Sequence, residues 1–102
     1  MTSHDARTRY ETDGFVIAEP LMSPQLLQRA HHAMDEVIAG RYETGVKPHS
    51  DHWREGDDPA TKLRKIDQPH WCNPTIMEVT SQPAIGEFVA SLTGAQMVQV
   101  WA

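Results

Sequence analysis

The stretch from Ser23 to Gly40 constrains the fold more than any other part of this chain. The Ser23 hydroxyl can accept a hydrogen bond from a free helix N–H. Pro24 suits the first helical position, where its missing N–H would have no partner anyway. Leu26, Leu27, Ala30, Met34, Val37 and Ile38 then recur at helical spacing and make one apolar stripe. Gly40 can take the left-handed conformation that ends a helix. The spacing predicts an amphipathic helix over residues 24–39, and such a stripe must be covered by other apolar residues. A chain of 102 residues can supply that cover once. At this size roughly 60–70% of the unfolded surface is buried, enough for one modest core and not two.

The flanking segments suggest what provides the cover. Residues 1–13 are polar, and Ser3 can cap a short helix reaching about Tyr10. Asp13-Gly14 is a turn signal. Residues 15–19, Phe-Val-Ile-Ala-Glu, read as a strand that Pro20 stops. Residues 41–61 hold Gly45, Pro48, Gly56 and Pro59, acidic residues that include Asp51, Glu55, Asp57 and Asp58, and only Val46 and Trp53 as candidates for a core. They read as a long loop, and such loops inside compact domains are usually functional or mobile. Residues 63–66 alternate apolar and basic types, as a half-buried strand does. Asn73-Pro74 opens a short helix with Ile76, Met77 and Val79. Pro83 opens another with Ile85, Phe88, Val89 and Leu92, closed by Gly94. Residues 97–102 read as a final apolar strand. The expected class is α+β, in one region covering residues 1–102.

Composition excludes several function classes. Nine Lys and Arg stand against 14 Asp and Glu, a net charge of −5. This argues against nucleic-acid binding, which relies on cations neutralising phosphates. No apolar run approaches the roughly 20 residues that cross a bilayer, and the polar start lacks a signal-peptide segment. The single cysteine, Cys72, excludes an internal disulfide and a multi-cysteine zinc site, and fits a reducing cytoplasm.

Several residues could carry chemistry. His49-Ser50-Asp51 has the His-x-Asp form of two thirds of an iron facial triad, and strand alternation would place both side chains on one face. It lies in a Gly/Pro-rich loop between Pro48 and Trp53, where nothing indicates a strand, so a solvated loop is the preferred reading. His52 and His70 could in principle complete a ligand set. His31 and His32 project about 100° apart on a helix and suit a helix flank better than a shared metal. Cys72 precedes a helix N-terminus, which lowers a thiol pKa, yet most free cysteines are small buried hydrophobes. Arg64, Lys65 and His70 form a small basic cluster that could receive the carboxylate or phosphate of a substrate. A solvated face balanced by Asp67 is the competing reading and the favoured one. Trp53, Trp71 and Trp101 read as core or rim aromatics. No phosphate loop, nucleophile elbow or paired-carboxylate motif is present.

Segment order adds a resemblance. Tyr10-Glu11-Thr12-Asp13-Gly14-Phe15-Val16-Ile17 resembles the opening Y-x-x-x-G-F-V-V/I of the phytanoyl-CoA dioxygenase family. Leu21-Met22-Ser23-Pro24-Gln25-Leu26-Leu27, after Glu19-Pro20, resembles the segment L-L-S-P-E-E-L that starts its first long helix. Lys62-Leu63-Arg64-Lys65-Ile66 resembles the next strand. Residues 69–81 resemble P-H-x-x-x-P-x-F-x-E-L-A-x-S, and residues 83–101 resemble P-x-I-x-x-x-V-x-x-L-L-G-x-x-V-x-V-W. Five pieces in order cover nearly the whole chain.

The resemblance implies a non-haem iron(II), 2-oxoglutarate-dependent oxygenase that hydroxylates or otherwise oxidises a small molecule. It implies a double-stranded β-helix (a jelly-roll, cupin-like fold), of which this chain would hold the N-terminal helices and first strands. The positions that match the family pattern are structural: Gly14, Phe15, Pro24, Gly94 and Trp101. In the family the His-x-Asp pair follows the strand that residues 97–102 resemble, with the distal His and the 2-oxoglutarate-binding Arg later still. His49 and Asp51 therefore do not inherit the ligand role, and no catalytic, metal or cofactor-binding residue is assigned to this chain. Iron(II) and 2-oxoglutarate are expected for a longer parent, with none bound here. Residues 41–61 and the segment with Arg64 and Lys65 correspond to parts that edge the substrate site. The alternative is a small non-catalytic interaction or oligomerisation module, pairing through an open strand edge.

Overall fold

The structure is a computed structural model that describes residues 3–100 and 102, without the side chains of Ser3, Ser50 and Asp51. Four helices dominate it: α1 (Ser3–Asp13), α2 (Pro24–Ile38), α3 (Pro74–Thr80) and α4 (Pro83–Thr93). A two-residue strand β1 (Ser50–Asp51) pairs antiparallel with β2 (Ile66–Asp67), Ser50 opposite Asp67 and Asp51 opposite Ile66. A 3-10 turn, Pro69–Trp71, joins β2 to α3.

The helix boundaries follow from local chemistry. The Leu26 N–H donates to Ser23 Oγ at 3.1 Å, and Pro24 occupies the first turn of α2. At the other end Gly40, at φ +81°, donates to Val37 O, and Arg41 N–H donates to Glu36 O at 2.9 Å. This pair of bonds is the Schellman arrangement, which satisfies carbonyls that a helix end leaves open. A Cβ at Gly40 would meet nothing within 4 Å, so the backbone angle, not space, calls for glycine. Asn73 Oδ1 accepts from Thr75 N at 2.8 Å and caps α3. α1 runs to Asp13, beyond the expected end near Tyr10, helped by an Arg7–Glu11 pair one turn apart at 2.9 Å.

The core lies where α2 crosses α3. Ala33 and Val37 of α2 meet Cys72 and Ile76, with Met34, Tyr42 and Ile66 packed around them. The 3-10 turn is strapped to this core by Thr44. Its N–H donates to Cys72 O at 3.1 Å, and its hydroxyl donates to Trp71 O at 2.6 Å. α1 packs on α4, with Ala6 buried on α1 and Leu92 on α4. The α2 stripe is only partly covered, since Leu26 is buried whereas Leu27 is 47% exposed.

The α+β expectation is corrected. Residues 15–19 and residues 97–100 form no strand; Trp101 lies outside the described residues. The strand expected over 63–66 shrinks to β2, of which only Ile66 falls in the expected range. Conversely, β1 falls inside the long loop 41–61, where the sequence indicates no strand. The described residues are mainly helical and do not make the first strands of a double-stranded β-helix. The physical reason is that a strand needs a paired neighbour to be stable. Helices satisfy their own backbone, whereas these apolar stretches find no adjoining edge among the described residues. Among the described residues no helix is long and apolar enough to cross a membrane.

Packing separates the two leucines of α2 and marks the centre of the core. Ile76→Ala is expected to cost about 2–4 kcal/mol, from lost burial and the cavity left behind. Leu27→Ala should cost about 0.5 kcal/mol or less, as surface changes do. Urea unfolding followed by circular dichroism measures both.

Candidate functional site

The three residues of the candidate basic cluster have different surroundings. The Arg64 guanidinium lies over the Trp53 ring, 4.7 Å from its centroid. Lys65 Nζ sits 3.6 Å from Asp67 Oδ1, close to the balancing partner expected from sequence. His70 is buried in the 3-10 turn, with Nδ1 lacking a hydrogen-bond partner. Each of the three thus has a separate surrounding: an aromatic face, a carboxylate and the interior. The favoured reading, a solvated face, suits the exposed Arg64 and Lys65 but not His70.

The His49-Ser50-Asp51 segment is not the solvated loop that its glycines and prolines suggest. It belongs to the ladder, which hydrogen bonds extend at both ends. His49 N–H donates to Asp67 O and His52 N–H to Lys65 O, each at 3.1 Å. The His49 ring stands edge-on to Trp71, with centroids 6.1 Å apart and planes at 86°. The Asp51 side chain lies outside the described residues. His31 and His32 are exposed on the flank of α2, 3.7 Å from Asp35 and 4.0 Å from Glu36 respectively. Cys72 is fully buried in the core, as a small hydrophobe would be.

An iron(II) centre needs several converging donors. Among the described residues no group of three His, Cys, Asp or Glu side chains is placed to hold a metal ion. The donor set present therefore does not fit the iron implied by the resemblance, and no oxidation step is assigned to these side chains.

The shape that sequence reasoning misses is a cleft of about 380 Å³ at the foot of α2. Ile38, Tyr42, His49 and Trp53 line it, with Lys47 and Arg54 bringing positive charge and Glu55 negative charge to it. Its volume is in the range that accepts a small molecule, and its lining mixes apolar side chains with polar and charged ones. Nothing in the sequence pattern marks Tyr42 or Lys47. Only folding of the loop against the end of α2 brings them beside Trp53.

Two bidentate ion pairs tie this region together. Arg29 donates from Nη1 and Nη2 to the two oxygens of Glu78, both at 3.0 Å, linking α2 to α3. Arg41 donates to Glu36 at 2.6 and 3.1 Å, beside the Schellman turn. These hydrogen bonds hold the Glu78 and Glu36 carboxyls below the ordinary carboxylate range and push both arginines further up. The folded state therefore favours the ionised carboxylates. Their stabilising contribution is full above the unfolded glutamate value of about 4.3 and disappears as pH falls through the lower folded value. The pairs are exposed, so the effect is small. Glu78→Gln should flatten the acid limb of a plot of urea midpoint against pH. An unchanged acid limb in that variant would rule out the Glu78 contribution.

Comparison of the chain with protein-family models, curated proteins and solved structures yields no match.

Proposed function

We propose that this chain is the N-terminal, non-catalytic part of a non-haem iron(II), 2-oxoglutarate-dependent oxygenase similar to the phytanoyl-CoA dioxygenase family. The parent enzyme hydroxylates, or otherwise oxidises, a small molecule. The cleft at the foot of α2 carries the reading. The resemblance puts residues 41–61 at the edge of the substrate site, and this loop supplies Tyr42, Lys47, His49 and Trp53 to the cleft. Helix placement adds support. α2 begins at Pro24 behind the Ser23 cap, where the resembling segment starts its first long helix, and α4 runs from Pro83 to a stop at Gly94.

In this reading the chain shapes one side of a substrate cavity, and iron(II) and 2-oxoglutarate are held by residues beyond it. Bound together, they supply the oxidising chemistry; these residues exclude water and orient the substrate. A reducing cytoplasm suits a chain whose one cysteine is buried and in no disulfide.

Two observations test the proposal. Incubated with iron(II), ascorbate and 2-oxoglutarate, the 102-residue chain should release no succinate above a protein-free control. Release that depends on the polypeptide would overturn the assignment of the ligands elsewhere. The gene should encode a His-x-Asp pair soon after the codon for Ala102. A stop codon there, or a long reading frame lacking the pair, would overturn the oxygenase reading.

A further inference from the structure

The cleft at the foot of α2 combines an apolar lining with charges of both signs. Trp53 is buried, and Ile38, Ala39, Tyr42 and Pro48 are half-buried. The Trp53 ring is held from outside the cleft by Arg64, which lies over it 4.7 Å from the ring centroid and is not part of the lining. Lys47, Arg54 and Glu55 are exposed and line the same cleft.

These charges are not matched to one another. The Lys47 side chain makes no hydrogen bond or ion pair among the described residues. Arg54 is already engaged, donating from Nη1 to Trp53 O at 3.3 Å. Lys47 is therefore the cation left to meet a ligand. Glu55 acts on Arg41 only through space, with no ion pair among the described residues.

Negative charge has a second source. α2 ends at the cleft, with Ile38, Ala39 and Gly40 in the lining. Their carbonyls accept no backbone hydrogen bond among the described residues. Carbonyls left open at a helix C-terminus carry partial negative charge and favour a cation beside them. A ligand with an anion alone would meet Lys47 but would also face Glu55 and the helix end. A ligand with a cation alone would leave Lys47 unmatched. A molecule carrying both charges meets both, and a cleft of about 380 Å³ is at the small end of ligand sites.

We propose that this cleft takes a small zwitterion with an apolar body, the chemistry of an apolar α-amino acid. Its carboxylate meets Lys47, its ammonium meets Glu55 and the C-terminus of α2, and its apolar part lies against Tyr42 and Trp53. The inference names a substrate class and rests on reading the cleft as an edge of the substrate site. The two fail separately. Binding without a His-x-Asp pair in the gene removes the oxygenase and keeps the ligand class, whereas the pair without binding removes the ligand class alone.

Amide NMR titration of the 102-residue chain, which reads weak binding residue by residue, gives the test. The probes are L-phenylalanine, hydrocinnamate, which lacks the ammonium, and phenethylammonium, which lacks the carboxylate. L-Phenylalanine should shift signals of Tyr42, Lys47 and Trp53 and bind about tenfold tighter than either analogue, the size expected for one charge-assisted contact. Lys47→Gln should bring L-phenylalanine down to the level of phenethylammonium and leave phenethylammonium binding unchanged. Glu55→Gln should weaken L-phenylalanine and leave hydrocinnamate no weaker. Both side chains are exposed, and far-UV circular dichroism checks that the helices persist in the variants. Absence of L-phenylalanine binding overturns the proposal. So does equal or tighter binding of either analogue, or shifts confined to residues outside the cleft. These three outcomes are read on the unmodified chain and need no variant to fold.

Discussion

The packing of Val37 and Ala33 against Ile76 and Cys72 holds this structure together. It joins two helices separated by a long stretch of chain and gives the intervening segment a frame. Thr44 hangs the loop on the turn that carries Cys72, and Arg29 clamps Glu78 across the same pair of helices. The β1–β2 ladder, too short to stand alone, is stable because Ile66 packs on that core. Without the packing of α2 on α3, the loop would have no wall against which to form its cleft.

The cluster is small for the length of chain it organises. α1 adds little, since it is polar nearly throughout and, among its described side chains, buries only Ala6. Many apolar side chains therefore stay outside. Met97 and Ile17 are among the most exposed, and both lie outside the helices and the ladder. A helix hydrogen-bonds itself and needs cover for only one face, whereas a strand needs cover and a paired edge. The chain provides helical cover and almost no paired edge, which accounts for both its elongated shape and its mainly helical content.

Legibility in the sequence follows how local the determinant is. Ser23-Pro24, Asn73-Pro74 and Gly40 set helix ends through bonds spanning a few residues, and the structure places them where the spacing predicts. Ser50–Asp51 is not legible, because a strand inside a Gly/Pro-rich loop depends on a partner far along the chain. Arg64, Lys65 and His70 are near in sequence and read as one cluster. Trp53, Asp67 and the interior take them separately, and each of these surroundings is set by tertiary packing.

The sequence by itself determined the helices, their caps and the apolar stripe of α2, because these depend on contacts a turn or less apart. It also determined that charge and cysteine count favour neither nucleic acid nor disulfides. Tertiary structure alone decided which leucine of α2 is buried, where the loop closes a cleft, and which apolar stretches fail to become strands. Those outcomes depend on which distant segment arrives at a given face, and burial and edge pairing are properties of that meeting, not of either segment alone.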